Sequence, residues 1–430
     1  MTIALILVTL LLLLLTGLPI FAGLALYGGG LLLAVQGTLG SVAGIIFGEL
    51  NEYLLVAIPL FAFMAYLMIR GKVVDDLYDA AYTFTRHWPG GLAVATILAC
   101  TVFAAISGSS VATALTIGAV AIPQMLRYGY DRRVAYGVVA AGGTLGILIP
   151  PSGPMILYGV ITDSSIGKLF IAGIVPGLIM SAVFMAWAVL RSATGTQQAR
   201  RDAPASAREK WLALRKAGWS LALPVCVLLG MYLGVFTATE AAAVGTWMAL
   251  LVTVVIYRTV GWREIWTSAL DACRLSSMLY MILAGATVFS HVLTKLRIPQ
   301  QIVESLTSVN LGALGFIVIM MLLILLLGMF LETISIILVT TPIILPALHH
   351  LDIDPIWYGV LLVINLEVAL ITPPVGMNLF TIKAITGSTL APIIRGALPY
   401  VALMLVVLAL ILWWPDLALW LPRTMVQNAG

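Results

Sequence analysis

The chain has 430 residues, of which 62% are hydrophobic and only 9% are charged. Soluble domains carry about 25% charged residues, so this composition, together with a mean hydropathy of +1.11, excludes a soluble fold. The net charge of +4 is small, and the length fits about ten to twelve membrane passes of about 20 residues each.

The first apolar segments predict membrane spans rather than a secretory signal. No Lys or Arg precedes the apolar run at residues 1–15, and no small-residue cleavage site is evident before residues 17–20. The missing basic region predicts a retained helix. Residues 3–36 hold one or two spans interrupted at Gly17, and residues 54–68 hold another.

Two stretches predict amphipathic helices that lie in the membrane interface. In the first, Val73, Leu77 and Ala81 recur at helical spacing opposite acidic residues such as Asp75. The second combines apolar and charged residues in a similar way, with Trp262, Trp266 and Leu270 against Arg263, Glu264 and Asp271. Either one alone is equally well interpreted as a linker helix on a cytoplasmic surface. Their parallel placement favours a shared structural arm.

The next segment predicts a re-entrant helical hairpin. Residues 92–106 and 111–126 are apolar or small, and they flank the sequence Ser107-Gly108-Ser109-Ser110. Each arm is only about 23 Å long at 1.5 Å per residue, shorter than the hydrocarbon core of about 30 Å. Ser109 or Ser110 is well placed to cap the second arm, whose free amide groups then face the membrane interior. Two tilted spanning helices joined by a small-residue turn are the alternative.

A helix broken at a proline pair follows this hairpin. The helix over residues 134–149 stops at Pro150-Pro151 and resumes over residues 154–162. A proline removes an amide and frees the carbonyl four residues back, and a free carbonyl at membrane depth can bind sodium. The predicted sodium ligands include the hairpin serines Ser109 and Ser110. The others are the freed carbonyls of Gly146 and Ile147 and the hydroxyls of Thr144 and Ser152. Water or a neighbouring side chain at a plain kink is the alternative.

One connection concentrates the positive charge of the chain. It holds seven basic residues, namely Arg191, Arg200, Arg201, Arg208, Lys210, Arg215 and Lys216. The positive-inside rule places this segment, residues 191–216, in the cytoplasm. Nucleic-acid binding is disfavoured because Trp211 is the only aromatic residue in the stretch.

The second half of the chain repeats the first at a fixed shift of 223 positions. The helix-breaking residues Pro123, Pro150, Pro151, Gly153, Gly173 and Pro176 recur as Pro346, Pro373, Pro374, Gly376, Gly396 and Pro399. Two related halves, each with a helix broken at a Pro-Pro pair, are typical of secondary transporters that bind substrate and ions near the middle of the membrane.

This repeat predicts a second hairpin and a second sodium site. Residues 311–330 and 334–348 flank Glu332-Thr333, which correspond to Ser109-Ser110, and residues 356–372 lead into the second proline pair. The predicted sodium ligands here are Thr333, Asn378 and the carbonyls of Ala369 and Leu370. The intramembrane carboxylates and the prolines of both breaks are candidates for substrate binding or coupling, namely Glu332, Glu367, Pro150, Pro151, Pro373 and Pro374. A carboxylate that merely pairs with a Lys or Arg across the bundle is the alternative.

An enzyme is not predicted, because no polar reacting cluster is present. The only metal-like group, His349-His350 with Asp352 and Asp354, is expected to be a solvated turn. No nucleotide-binding loop of the G-x-x-x-x-G-K-[ST] type occurs, so ATP hydrolysis and any cofactor other than a coupling ion are not expected. The cysteines Cys100, Cys226 and Cys273 are predicted to be isolated buried thiols.

The strings SSVAT, GGTLGILIPPS and DSSIGKLFIAGIVPG in the first half, and GMFLET and ITPPVGMNLF in the second, resemble the large membrane subunit of tripartite ATP-independent periplasmic (TRAP) transporters. The resemblance covers nearly the whole chain. It implies an all-α polytopic protein of the bacterial inner membrane, in which a transport domain with inverted repeats, two hairpins and two Pro-broken helices moves as an elevator against a scaffold. An ion-coupled dicarboxylate or citrate symporter that works without a binding protein is the competing interpretation.

The resemblance also implies partners and a division of the chain. The expected partners are a small membrane subunit of about four spans on a separate polypeptide, a periplasmic substrate-binding protein, and an organic anion such as a dicarboxylate or a sugar acid, imported with sodium. The predicted scaffold spans and first arm occupy residues 1–90, and the first transport repeat occupies residues 91–190. A cytoplasmic loop with further scaffold spans and the second arm follows over residues 191–300. The second transport repeat occupies residues 301–414, and a tail occupies residues 415–430.

Overall fold

The computed structural model describes residues 5–6, 9–10, 12–13, 16–194, 202–308 and 312–425, and within these ranges it contains no strand. Its α-helices in chain order are α1 (Ile20–Gln36), α2 (Val42–Leu50), α3 (Ala57–Arg70), α4 (Val73–Thr85), α5 (Gly91–Ser107), α6 (Ser110–Arg127), α7 (Arg132–Thr144), α8 (Gly153–Thr162), α9 (Ile166–Thr194), α10 (Ala207–Tyr232), α11 (Ala238–Leu250), α12 (Trp262–Lys295), α13 (Ile298–Ser308), α14 (Ala313–Gly328), α15 (Thr333–His350), α16 (Pro355–Leu370), α17 (Met377–Thr386), α18 (Leu390–Trp413) and α19 (Asp416–Arg423). The all-α prediction is confirmed.

Membrane-length helices are distributed along the whole described part of the chain. Eight segments are long and apolar enough to cross a membrane, namely Tyr53–Arg70, Ser110–Arg127, Ile166–Thr194, Ala207–Tyr232, Ala238–Ile256, Trp262–Lys295, Thr333–His350 and Leu390–Trp413. The polytopic membrane fold is therefore confirmed. Much of the predicted helix at residues 1–15, the loop residues Arg200 and Arg201, and the end of the predicted tail lie outside the described residues.

The internal repeat in the sequence is a repeat of structure. A shift of 223 positions carries α6 onto α15 at both ends, and it carries α7, with its one-turn 3-10 continuation over Leu145–Ile147, onto α16. The helices on either side, α5 and α14 before and α8 and α17 after, agree to within two residues. The Pro150–Pro151 and Pro373–Pro374 peptide bonds are both cis. The same break residues therefore produce the same helix order twice.

The first predicted arm is a separate helix, whereas the second is not. A left-handed residue, Lys72 with φ 55°, separates α4 from α3, and α4 packs against α5 and α10. Trp262 instead begins α12, a single helix of 34 residues that continues into a membrane span. No proline lies between Trp262 and Lys295, so nothing in the sequence ends the helix there.

The α4 helix and Arg86, which directly follows it, contact the second part of the basic connection. Tyr82 donates a hydrogen bond to Asp202 at 2.5 Å, and Arg86 forms an ion pair with Glu209 at 3.2 Å. These contacts tie the described end of the basic connection to the first arm.

The cysteine prediction is correct for one of three residues. Cys100 is buried, but Cys226 is partly buried and Cys273 is exposed. Cys273 is exposed on α12 between Asp271 and Arg274, which form an ion pair, so charged residues lie close to it in the sequence.

Close backbone packing joins the two repeats. A Cβ added at Gly396 on α18 would lie 2.0 Å from the carbonyl oxygen of Arg133 on α7. Only glycine permits this approach, and α18 consequently crosses α7 at backbone contact.

Candidate functional site

The tip of the first hairpin lies directly on the first proline break. A Cβ added at Gly108 would lie 2.4 Å from the carbonyl oxygen of Pro151, and one added at Gly146 would lie 2.4 Å from the carbonyl oxygen of Ser109. Such distances are too short for any side chain, so the two loops meet backbone to backbone. The structure therefore brings the predicted site residues Ser109 and Gly146 into contact and places Pro151 against the same hairpin tip.

The tip itself is held by a cluster of hydroxyl groups. Ser109 caps α6, because its hydroxyl accepts from the amide of Ala112 at 3.4 Å, which confirms the predicted capping. The hydroxyl of Thr113 donates to the Ser109 carbonyl at 2.8 Å and lies 2.7 Å from the Ser107 hydroxyl. Sequence reasoning missed Thr113, although its position one helical turn after Ser109 places both on one face.

Within the first break, part of the freed backbone is already satisfied. The hydroxyl of Ser152 donates to the Ile147 carbonyl at 2.6 Å and accepts from the Met155 amide at 3.4 Å, so that Ser152 caps α8. Thr144 donates to the Ala141 carbonyl one turn back at 2.7 Å. A neighbouring side chain therefore supplies a partner for the Ile147 carbonyl, the alternative that the sequence left open, although the carbonyl keeps a second lone pair.

Asn378 crosses from the second repeat into this site. Its Nδ2 donates to the Ser110 hydroxyl at 2.8 Å and to the Ala140 carbonyl at 3.3 Å. The side chain is fully buried, and its Oδ1 has no hydrogen-bond partner among the described residues. The prediction that placed Asn378 beside Glu332-Thr333 is therefore wrong. The physical reason is that α17 leaves the second break and packs against α6 and α7 of the first repeat.

The same exchange occurs in the opposite direction. The helix after the first break, α8, packs against α15, the second arm of the second hairpin. Each hairpin thus contacts its own proline break and also the helix that follows the other break. The two repeats interlock as one unit rather than forming two independent halves.

The first site fits a sodium ion. The Ser110 hydroxyl and the Ala140 carbonyl accept from Asn378 Nδ2, and the unpartnered Oδ1 lies on the other side of the same amide. All three oxygens are neutral, and turning the amide over would point Oδ1 toward the other two. Hard cations prefer oxygen ligands, and backbone carbonyls at broken membrane helices are typical sodium ligands. A buried oxygen without a partner costs free energy that a bound cation offsets.

The second hairpin meets the second break in a corresponding way. The amide of Val375 donates to the Met329 carbonyl at 3.2 Å, and a Cβ added at Gly328 would lie 2.5 Å from the Cβ of Ala369. Thr333 is buried at the first turn of α15. Of the predicted ligands, Ala369 contacts the hairpin directly, Leu370 follows it in the chain, and Thr333 begins the second arm of the hairpin.

Glu332 caps the second arm of this hairpin. Its Oε2 accepts from the amides of Ile334 at 3.2 Å and Ser335 at 3.4 Å. The positive end of the α15 dipole favours a negative charge here. The ion pairs of the described residues do not include Glu332, so the alternative of a Lys or Arg partner is not found in that part of the chain.

Glu367 is a fully buried carboxylate in the last turn of α16. Neither of its oxygens has a hydrogen-bond partner among the described residues, and its relative exposure is 0%. At the shift of 223 positions it corresponds to Thr144, so the second repeat carries a carboxylate where the first carries a hydroxyl. An uncompensated buried charge costs several kcal/mol, and the group is therefore stable there when it is neutral or binds a cation.

The remaining polar groups lie at a helix end and around a cavity. His349 and His350 are exposed at the end of α15, and no group of three metal-binding side chains occurs among the described residues. A cavity of about 320 Å³ lies between α12 and the helices α8 and α15. Its α12 wall presents four polar residues at helical spacing, Thr287, Ser290, His291 and Thr294. This pattern of positions was not recognised in the sequence.

The chain resembles known transporter subunits over most of its length. Residues 7–417 match the family described as tripartite ATP-independent periplasmic transporter, DctM component. The chain is 42% identical over 384 residues to the C4-dicarboxylate TRAP transporter large permease protein DctM of Pseudomonas aeruginosa. This match covers 89% of each chain.

More distant relatives differ in their named substrates. The isethionate TRAP transporter permease protein DctMQ of Oleidesulfovibrio alaskensis is 34% identical, and the match covers 94% of this chain and 63% of that protein. The ectoine/5-hydroxyectoine TRAP transporter large permease protein UehC of Ruegeria pomeroyi is 32% identical over 85% of each chain.

A solved structure shares the fold. The Alcanivorax borkumensis YdaH transporter superimposes with a TM-score of 0.64 at 13% sequence identity, covering 88% of this chain and 87% of that one.

Proposed function

Because the chain belongs to the DctM family, the large membrane component of TRAP transporters, we propose that it is the large permease of a sodium-coupled importer of organic anions that works by an elevator mechanism. The protein is a transporter subunit of the bacterial inner membrane and not an enzyme. The observation that carries the sodium assignment is the unpartnered, buried Oδ1 of Asn378 at the first hairpin tip.

Sodium at the first site would be held by Ser110, Asn378 and the Ala140 carbonyl once the Asn378 amide turns over, so that Oδ1 instead of Nδ2 faces the other two oxygens. These residues come from the first hairpin, from the helix after the second break and from the helix before the first break. A bound cation there would join three helices of both repeats. We propose that its charge stabilises the packed hairpin tip against the break and so couples ion binding to the position of the transport unit.

The second site would use Thr333 and the carbonyls of Ala369 and Leu370. Glu332 lies on the same hairpin as Thr333. Glu367 lies on the same broken helix as Ala369 and Leu370. We propose that Glu367 is neutral or holds a cation, because no other partner for its buried carboxylate is present among the described residues. A carboxylate in one repeat and a hydroxyl in the other give the two sites different affinities.

The substrate anion would bind near the helix ends that face the breaks. The helices α6 and α17 both begin there, and their first turns are joined by Asn378 and Ser110. The N-terminal ends of helices carry partial positive charge that favours anions, whereas carbonyl ends favour cations. The relative with the highest identity given above is named for C4-dicarboxylates, and we therefore propose a dicarboxylate as the first substrate to test.

The packing supports movement of the transport unit as one body. The exchanged contacts of α17 with α6 and of α8 with α15 connect the two repeats. The cavity of about 320 Å³ lies where this unit meets α12, a helix that we assign to the scaffold. We propose that the unit slides along α12 and that the polar residues Thr287, Ser290, His291 and Thr294 keep this cavity hydrated.

Membership of the family implies two partners. A small membrane subunit and a periplasmic substrate-binding protein complete a TRAP transporter, and the DctMQ name of one relative belongs to a permease longer than this chain. We propose that the small subunit enlarges the scaffold here and that the binding protein delivers the anion.

Reconstitution tests the proposed function. The chain is placed in proteoliposomes with its small subunit, and uptake of succinate, isethionate and ectoine is measured with the matching binding protein. Uptake of an anion that requires an inward sodium gradient and is unchanged by ATP is the expected result. Uptake that persists with sodium absent on both sides would overturn the sodium assignment.

A further inference from the structure

Three arginines converge at one end of the transport unit. Arg133 in the first turn of α7, Arg191 in the last turn of α9 and Arg395 near the start of α18 line a single small cavity, which Trp187 and Tyr400 also border. Arg191 begins the basic connection that the positive-inside rule places in the cytoplasm, so the cavity faces that side. All three arginine side chains are exposed and therefore accessible to a ligand.

The positions of the three arginines are fixed by the backbone. Gly396, next to Arg395, packs so closely on α7 that a Cβ there would lie 2.0 Å from the Arg133 carbonyl. The ring of Tyr400 stacks edge-on against Phe184 of α9 with centroids 5.2 Å apart. The convergence is thus part of the packing of three helices and does not depend on a flexible loop.

The three positive charges have no acidic partner in the described part of the chain. Ion pairs there use other arginines, Arg70, Arg86, Arg274 and Arg423. Like charges repel, and an arginine on a helix surface can direct its long side chain away from its neighbours. Three exposed arginines around one small cavity of about 20 Å³ are therefore stabilised when an anion lies at its mouth.

We propose that Arg133, Arg191 and Arg395 form a binding site for a phosphate group at the cytoplasmic face of the transport unit. Guanidinium groups donate paired hydrogen bonds to phosphate oxygens. Three such groups match the several oxygens of a phosphate better than the two of a carboxylate. Trp187, which is partly exposed, suits the headgroup level of a bilayer, where aromatic side chains accumulate. The phosphate belongs to an anionic phospholipid or to a free phosphate ion.

Binding to the purified full chain tests the site. In the lipid arm, the chain is placed in nanodiscs of neutral phosphatidylcholine that contain an increasing fraction of phosphatidylglycerol. The amount of phosphatidylglycerol that the protein retains is measured at each fraction. In the ion arm, the chain is in detergent, and inorganic phosphate is titrated at constant ionic strength by isothermal calorimetry. Each arm compares the parent with Arg133→Gln, Arg191→Gln and Arg395→Gln, singly and together. Arg132→Gln is the matched control, because Arg132 neighbours Arg133 and is equally exposed but does not line the cavity.

We expect affinity in at least one arm to fall roughly tenfold for each guanidinium removed, with Arg132→Gln unchanged. A fall in the lipid arm alone identifies a phospholipid, and a fall in the ion arm identifies free phosphate. The unfolding midpoint without ligand should remain at the parent value, since the three side chains are exposed, and replacement by Lys should retain part of the binding. If the triple variant binds like the parent in both arms, or Arg132→Gln weakens binding equally, the proposal is overturned.

Discussion

Replacement of Asn378 by alanine separates an ion ligand from an ordinary buried amide. Asn378→Ala removes the unpartnered Oδ1 and also the donor to the Ser110 hydroxyl and the Ala140 carbonyl. Leaving buried polar groups without a partner costs about 1–3 kcal/mol in the free energy of unfolding. Loss of one neutral ligand should raise the sodium concentration for half-maximal uptake roughly tenfold, which corresponds to about 1.4 kcal/mol.

The matched control is Asn365→Ala. Asn365 is also buried, and its Nδ2 donates to the Met321 carbonyl at 2.8 Å, away from the first hairpin tip. Both variants should lose a similar amount of thermal stability without sodium. Only Asn378→Ala should lose the stabilisation that added sodium gives, measured as the shift in unfolding midpoint and as the sodium dependence of uptake. Equal sodium responses of the two variants would refute the assignment of Asn378 as a ligand.

The remaining predictions concern the hairpin, the buried carboxylate and the topology. Gly146→Ala should abolish uptake, because a Cβ there would lie 2.4 Å from a hairpin carbonyl oxygen, whereas Gly153→Ala, which meets nothing within 4 Å, should retain it. Thr113→Val removes the hydroxyl that holds the tip and should weaken the sodium dependence of uptake severalfold while the purified protein stays folded; unchanged sodium dependence would contradict this. Glu367→Gln should preserve stability within about 1 kcal/mol, because the buried group is stable when neutral, but should reduce the number of sodium ions carried per substrate; an unchanged ratio argues against a coupling role. A cysteine at the exposed Ala207, in a variant without the native cysteines, should react with membrane-impermeant reagents only from the cytoplasmic side; labelling from outside would reverse the topology.

Much of the helix order could be predicted from the sequence. Proline pairs and small polar tips interrupt apolar helices for local reasons, so the breaks at Pro150 and Pro373 and the cap at Ser109 follow from residues near them. The shift of 223 positions then transferred these assignments to the second half, where the apolar pattern alone was less specific. Local chemistry and repetition were sufficient for these elements.

Contacts between the repeats could not be predicted in the same way. The partner of Asn378 depends on how α17 crosses to the first hairpin, which is a consequence of packing over more than two hundred positions and not of neighbouring residues. The polar wall on α12 is instead a local pattern, which is recognisable when its residues are compared at helical spacing. The second arm continued into α12 because the sequence contains a helix start there but no helix stop.

The most direct test of the account is co-transport of the ion itself. Radioactive sodium influx is measured in proteoliposomes that contain both membrane subunits, with the membrane potential clamped and the loaded binding protein outside. Sodium coupling predicts that sodium influx rises with substrate uptake, at a fixed ratio of more than one sodium ion per substrate molecule. The influx should fall in Asn378→Ala but not in Asn365→Ala. Substrate uptake without any accompanying sodium influx would contradict it.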